Sequence, residues 1–123
     1  MIGVLVSVDG RGVNAVSVKN ELFDLYDLLK CSYIDIVHRR IGGKTYAMVC
    51  DDEGALKSDA KVSAFYETGA PALFGNILIV KDNKKGDDVI SLTDKECTSV
   101  MSSTVAAGDR TALIIDNPRG RFL

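Results

Sequence analysis

Histidine is nearly missing from this 123-residue chain; His38 stands alone. A histidine-rich zinc site and any mechanism needing two imidazoles are therefore excluded. Cysteine is scarce too. Cys31, Cys50 and Cys97 lie too far apart for a C-x-x-C metal knuckle, and an odd count with no leader segment predicts reduced thiols in a cytoplasm. Neither sign of charge dominates: 15 Lys and Arg against 17 Asp and Glu leave a formal −2. That offers no global field to hold a polyanion such as DNA, so any anion site must be local. Long apolar runs are absent. The blocks "ILIV" and "ALII" fall far short of the roughly 20 residues a bilayer span needs, which predicts a soluble protein. No G-x-S-x-G elbow, H-E-x-x-H helix or Rossmann glycine fingerprint occurs either, which weighs against an enzyme.

What the chain does have is enough apolar content, 46%, to bury a core without staples. Residues 2 to 8, "IGVLVSV", alternate with Ile2, Val4, Val6 and Val8 on one face; "DGRG" and a second alternating run at 13 to 18 come next, predicting a hairpin. The period then changes. Leu22, Leu25, Tyr26 and Leu29 recur at helical spacing, predicting an amphipathic helix over 20 to 30 with Asn20 as cap. "YIDIVHR" at 33 to 39 and "TYAMVC" at 45 to 50 read as a second hairpin closed by "RIGGK" and followed by the turn "DDEG". Residues 55 to 74 read as loop plus a short helix in "KVSAFYE". "NILIV" at 76 to 80, apolar on both faces, predicts a central strand, and a short strand comes after it at 89 to 92. Thr93 and Glu96 have capping-box spacing, so a second helix should place Cys97, Val100, Met101 and Thr104 on one face.

These elements predict an α+β fold: a mostly antiparallel sheet of about five to six strands with two short helices on one face. Residues 1 to 107 would form the single domain and 108 to 123 a C-terminal strand or arm, with "ALII" as an extra edge strand and Pro118 discouraging regular structure beyond it.

Gly43, Lys44 and Thr45 stand in the order that ends a phosphate-binding P-loop, but the pattern needs glycine where His38 is. The loop must also run into a helix, and the residues after Lys44 read as strand. The glycine pair is better explained as a hairpin reversal. Around that reversal, Arg39, Arg40 and Lys44 gather cations while Tyr46, and more distantly Tyr66, offer aromatic faces; guanidinium forks and rings together suit phosphate and base groups. The plainer alternative is a solvated turn whose cations pair with Asp51, Asp52 and Glu53. A Cys–His pair of His38 with Cys31 or Cys50 is arithmetically open. Tyr33, Tyr46, Tyr66, Phe65 and Phe74 could line a stacking pocket, with core packing as the ordinary alternative. Neither Asp51 to Glu53 nor Asp87 and Asp88 keeps the ligand order of a calcium loop, so no metal or other cofactor is expected.

The ordered set "YIDIVHR", "MVCDDEGAL", "FGNILIV" and "SLTDKE" resembles a domain-of-unknown-function family of small proteins from phages and mobile elements. The likeness runs over about residues 2 to 103, with "KSDAKVSAFYETGAPAL" fitting poorly and the chain departing from the pattern after 104. It implies layout and provenance and assigns no catalytic residue. With it, the expected function is that of a non-enzymatic phage accessory protein in the host bacterial cytoplasm. Such a protein would sequester a small anionic, nucleotide-derived defence signal through Arg39, Arg40, Lys44, Tyr46 and Tyr66. A homo-oligomer is expected, joined by the "ALII" segment or by the tail "NPRGRFL". The alternatives are a protein-interaction module that inhibits a host protein and, behind it, a nucleotide-processing enzyme.

Overall fold

In a computed structural model, residues 1–118 are described, and within them two sheets face each other. The first begins with Ile2–Val6 (β1) and Val13–Ser17 (β2), paired antiparallel as the sequence predicts. Ile34–Ile41 (β3) and Lys44–Asp51 (β4) form the second hairpin in full register from Ile34 with Asp51 to Ile41 with Lys44. Ile77–Asp82 (β7) lies between β1 and β4, which gives the order β2-β1-β7-β4-β3, and the two residues Val89–Ile90 (β8) pair with its end. The central position expected of "NILIV" is therefore correct. In β1, Val4, Leu5 and Val6 are all buried, because β1 is an inner strand covered on both faces.

Residues 55 to 74 depart most from expectation. After a single 3₁₀ turn at Gly54–Leu56 the chain forms Val62–Tyr66 (β5) and Pro71–Phe74 (β6), an antiparallel pair, where a helix was expected in "KVSAFYE". With Thr104–Ala107 (β9) and Arg110–Ile115 (β10) they make a second, four-stranded sheet in the order β6-β5-β10-β9. β10 pairs parallel with β5 and antiparallel with β9, and Ala112, Leu113 and Ile115 are fully buried. The "ALII" block is thus an inner strand, already paired along both sides and closed to strand addition by a second copy. The tail "NPRGRFL" lies, from residue 119, outside the described residues.

Leu22–Leu29 (α1) and Asp94–Met101 (α2) cover opposite faces of the first sheet, not one face. Leu25 and Leu29 of α1 pack with Leu5, Ala47, Val49, Leu78 and Val80. The alternate residues Val4, Val6, Met48, Ile77 and Ile79 meet Cys97 and Val100 of α2 and Ala64, Leu73, Leu113 and Ile115 of the second sheet. Asn20 does not cap α1. Glu21 occupies the cap position without a side-chain bond, while the Asn20 amide donates to Asp88 (3.2 Å) and to the Val89 carbonyl (3.3 Å), tying the helix to β8. The capping box of α2 is present in both directions: Thr93 Oγ1 accepts from the Glu96 N–H and Glu96 Oε1 from the Thr93 N–H. The helix ends at Met101, so Thr104 begins β9 and does not extend the helical face.

Candidate functional site

The β3–β4 reversal is a two-residue turn with φ of 59° at Gly42 and 84° at Gly43, positive at both central positions as primed hairpin turns require. Its two N–H groups are occupied. Asp116, just past β10, accepts from Gly42 N–H at 2.9 Å with Oδ1 and from Gly43 N–H at 2.7 Å with Oδ2. No local signal marks this contact, because the partners are more than seventy residues apart in sequence.

The five candidate residues separate into two groups. Arg39, Arg40 and Tyr66 line one cleft of about 220 Å³, together with His38, Asp116, Asn117 and Pro118. Arg39 stands on the face of β3 that looks toward the second sheet, and its Nη1 donates to the His38 carbonyl at 2.9 Å. Its Nε is buried and has no hydrogen-bond partner among the described residues. Arg40 donates through Nη2 to the Gly43 carbonyl at 2.7 Å. Tyr66 is half-buried at the end of β5, and its backbone register with Ile115 places it beside the segment that carries Asp116.

Lys44 and Tyr46 do not line this cleft. Lys44 forms an ion pair with Glu96 of α2, and its ammonium stands 5.7 Å from the centre of the Tyr46 ring. Tyr46 is 2% exposed and belongs to the core. Glu96 also accepts from Lys81 at 2.9 Å. Burial raises the Glu96 pKa, but the hydrogen bonds from Lys44, from the Thr93 backbone and from Lys81 outweigh it and hold the carboxyl at about 2. Tyr46 is pushed the other way, its phenol raised chiefly by burial.

Other pairings proposed from the sequence also fail on geometry. Asp51, Asp52 and Glu53 stand at the far end of the β3–β4 hairpin, some seven residues from the reversal, or about 23 Å of strand. They are out of reach of its cations. Asp51 instead binds Lys57 Nζ at 2.6 Å and the Glu53 N–H at 2.9 Å. His38 meets Asp82 at 2.9 Å. Cys50 pairs across the hairpin with Asp35, three residues from His38, so thiol and imidazole lie on opposite faces and form no couple. Tyr33 is exposed, and of the five aromatics only Tyr66 lines the cleft with the arginines.

A second cleft, of about 290 Å³, was not foreseen from the sequence. It opens where "DDEG", "GN" and the end of α1 converge and is lined by Asp9, Lys30, Asp51, Lys57 and Asn76 among others. Its charged groups largely neutralise one another. Asp9 binds Arg11 at 2.6 Å, which holds its carboxyl well below the usual carboxylate range against the opposing effect of burial. The buried Asn76 accepts from the Val8 N–H (2.8 Å) and donates to Asp9 (3.2 Å) and to the Leu29 carbonyl (3.0 Å). Asn76 thus acts as a tie between α1 and the first sheet.

Among the described residues no helix is long and apolar enough to cross a membrane, and no three His, Cys, Asp or Glu side chains gather as metal ligands would. The family model described as Domain of unknown function (DUF3846) matches residues 1–104, so the chain belongs to that family. No curated protein and no solved structure matches it. The matched span agrees with the extent over which the ordered segments resemble such a family, and the two strands β9 and β10 lie almost wholly beyond it.

Proposed function

We propose that this member of an uncharacterised family is a non-enzymatic binding protein that sequesters a small anionic, nucleotide-like ligand beside the β3–β4 reversal. One observation carries the reading: Arg39 and Arg40 flank a cleft with Tyr66, and neither has a carboxylate within ion-pair distance among the described residues. A guanidinium group without counter-charge, in the same cleft as an aromatic side chain and with a second cation on the other face of the strand, favours a ligand that brings both negative charge and a ring. Arg39, with its desolvated Nε, is the anchor. Lys44 and Tyr46, on the same face as Arg39, are taken up by Glu96 and by the core.

At about 220 Å³ the cleft is smaller than the roughly 300 Å³ at which pockets for whole small molecules begin. It suits one end of a nucleotide, and a second copy of the chain would enclose the rest; the homo-oligomer belongs to the same proposal. So does the setting, a phage or mobile element acting in a bacterial cytoplasm against a defence signal.

A thermal-shift panel of cyclic nucleotides and ADP-ribose derivatives tests the reading. A true ligand at a hundred times its Kd adds about 2.7 kcal/mol of stability. Heating should then release it unchanged. No shift with any compound, or conversion of a compound during incubation, counts against sequestration.

The second reading is a protein-interaction module. It is favoured by the apolar side chains exposed on and after α1: Phe23 at 84%, Leu22 at 52% and Tyr33 at 59%. Stoichiometric recovery of one host protein that is lost on Phe23→Asp, with no response to nucleotides, would establish it in place of the first.

A further inference from the structure

The sequestration reading leaves the role of Asp116 open, and the geometry around it is that of a filled anion receptor. Two successive turn amides converge on the two oxygens of its carboxylate, at 2.9 and 2.7 Å. Consecutive N–H groups in a turn form the concavity in which proteins hold phosphate and carboxylate groups. The occupant here comes from the chain itself. It is carried on a short strap after β10 that is held by polar contacts: the Asp116 N–H donates to the Arg40 carbonyl (2.8 Å), the Asn117 N–H to Glu67 (3.1 Å), and the Thr68 N–H to Asn117 Oδ1 (3.2 Å). Asp116 to Pro118 also form one wall of the cleft that holds Arg39 and Tyr66.

Arg39 and Arg40 line the cleft from opposite faces of β3, and the Asp116 carboxylate between them is spent on backbone amides; it is not within ion-pair distance of either arginine. An incoming group with more negative charge than a carboxylate would satisfy the same amides and also engage the arginines.

We infer that the Gly42–Gly43 turn is an oxyanion receptor whose resident occupant, Asp116, is displaced by a phosphate group of the ligand. The inference rests on the sequestration reading and adds to it a gate: the site is closed by the chain's own anion until a more highly charged one arrives. Because the open form is a minority of the population, the apparent affinity is reduced by the fraction that is open, and removing the competing carboxylate restores it.

The full chain and its Asp116→Ala and Asp116→Asn variants are titrated calorimetrically with two probes, inorganic pyrophosphate and ADP. With the open form at roughly a tenth of the population, Asp116→Ala should bind pyrophosphate about tenfold more tightly than the unaltered chain. In ¹⁵N spectra of the unaltered chain, the Gly42 and Gly43 amides should shift saturably while the Asp116 N–H loses its exchange protection. Equal or weaker binding by the folded variants overturns the inference. If the variants do not fold, the spectra decide alone: pyrophosphate that saturates without moving those amides, or leaves Asp116 protected, overturns it. ADP binding equally to all three forms removes the gate and keeps sequestration. A gain with pyrophosphate, but no binding of ADP or of the nucleotide panel, keeps the gate and removes the nucleotide reading. No binding of either probe removes both.

Discussion

Lys44, the first residue of β4, is paired with Glu96, fifty-two positions away in α2. The pair welds the hairpin reversal to the helix that caps the core. It also withdraws from the candidate site the cation that immediately follows the P-loop-like glycines in sequence. Four requirements meet on Glu96: its capping bonds with Thr93, Lys44, Lys81, and burial against the sheet.

Glu96→Gln should therefore lower stability by about 2 kcal/mol, since it weakens the box and leaves two ammonium groups without their anion. The pH dependence has a definite sign. The folded carboxyl titrates at about 2 against 4.5 for the free group. Its stabilisation is present above pH 4.5 and is lost as pH falls from there toward 2. Urea unfolding at pH 7 and pH 3 should show the native chain losing the advantage over Glu96→Gln that it holds at neutral pH.

Ligand capture should depend on Arg39 and not on Lys44. Arg39→Ala abolishes the thermal shift given by a bound nucleotide, whereas Lys44→Ala lowers the baseline melting temperature and leaves the shift in place. A loss of capture in Lys44→Ala alone would move the site to the Lys44–Glu96 pair.

Gly54 allows the 3₁₀ turn to lie against β6. A Cβ there would stand 2.5 Å from the Phe74 carbonyl oxygen, a backbone atom with no rotamer to change. Gly54→Ala should cost about 1–3 kcal/mol, the usual range for overpacking a filled site. Denaturant melts that match the unaltered chain would show that the turn is free to shift.

A chain ended at residue 107 should fail to fold. It would lack β10, which joins β5 to β9 and buries Leu113 and Ile115 between the sheets. Loss of the cooperative transition in circular dichroism is the expected result, and a protease-resistant 1–107 fragment would refute it.

Thiol titration should distinguish the three cysteines. Cys31 is partly exposed, while Cys50 and Cys97 are buried. Burial pushes the Cys50 thiol up to about 11 and raises Cys97 and Cys31 as well. At pH 8 a disulfide reagent should label Cys31 slowly and the other two only after denaturation.

Much of the fold was legible because its causes are local. The two hairpins are written in period-two apolar patterns closed by glycine turns, and the α2 start in a capping box whose partners sit three residues apart. Where the local reading failed, the deciding partner was remote. "KVSAFYE" carries no strong period of its own, and it becomes strand because β10, some fifty residues on, lies parallel beside it. Asn20 leaves its capping role because Asp88 and Val89 are brought within reach.

The candidate site divides in the same way. From the sequence alone came the reversal at Gly42 and Gly43, the cations around it, the inner position of "NILIV" and the capping-box start of α2, all properties of neighbours along the chain. Tertiary structure alone decided that Lys44 faces Glu96, that Arg39 shares a cleft with Tyr66, that the helices take opposite faces, and that Asp116 fills the turn. Side-chain charge and shape are inherited from the sequence, but which of them remain free for a ligand depends on contacts closed across more than fifty residues, and no local pattern encodes those.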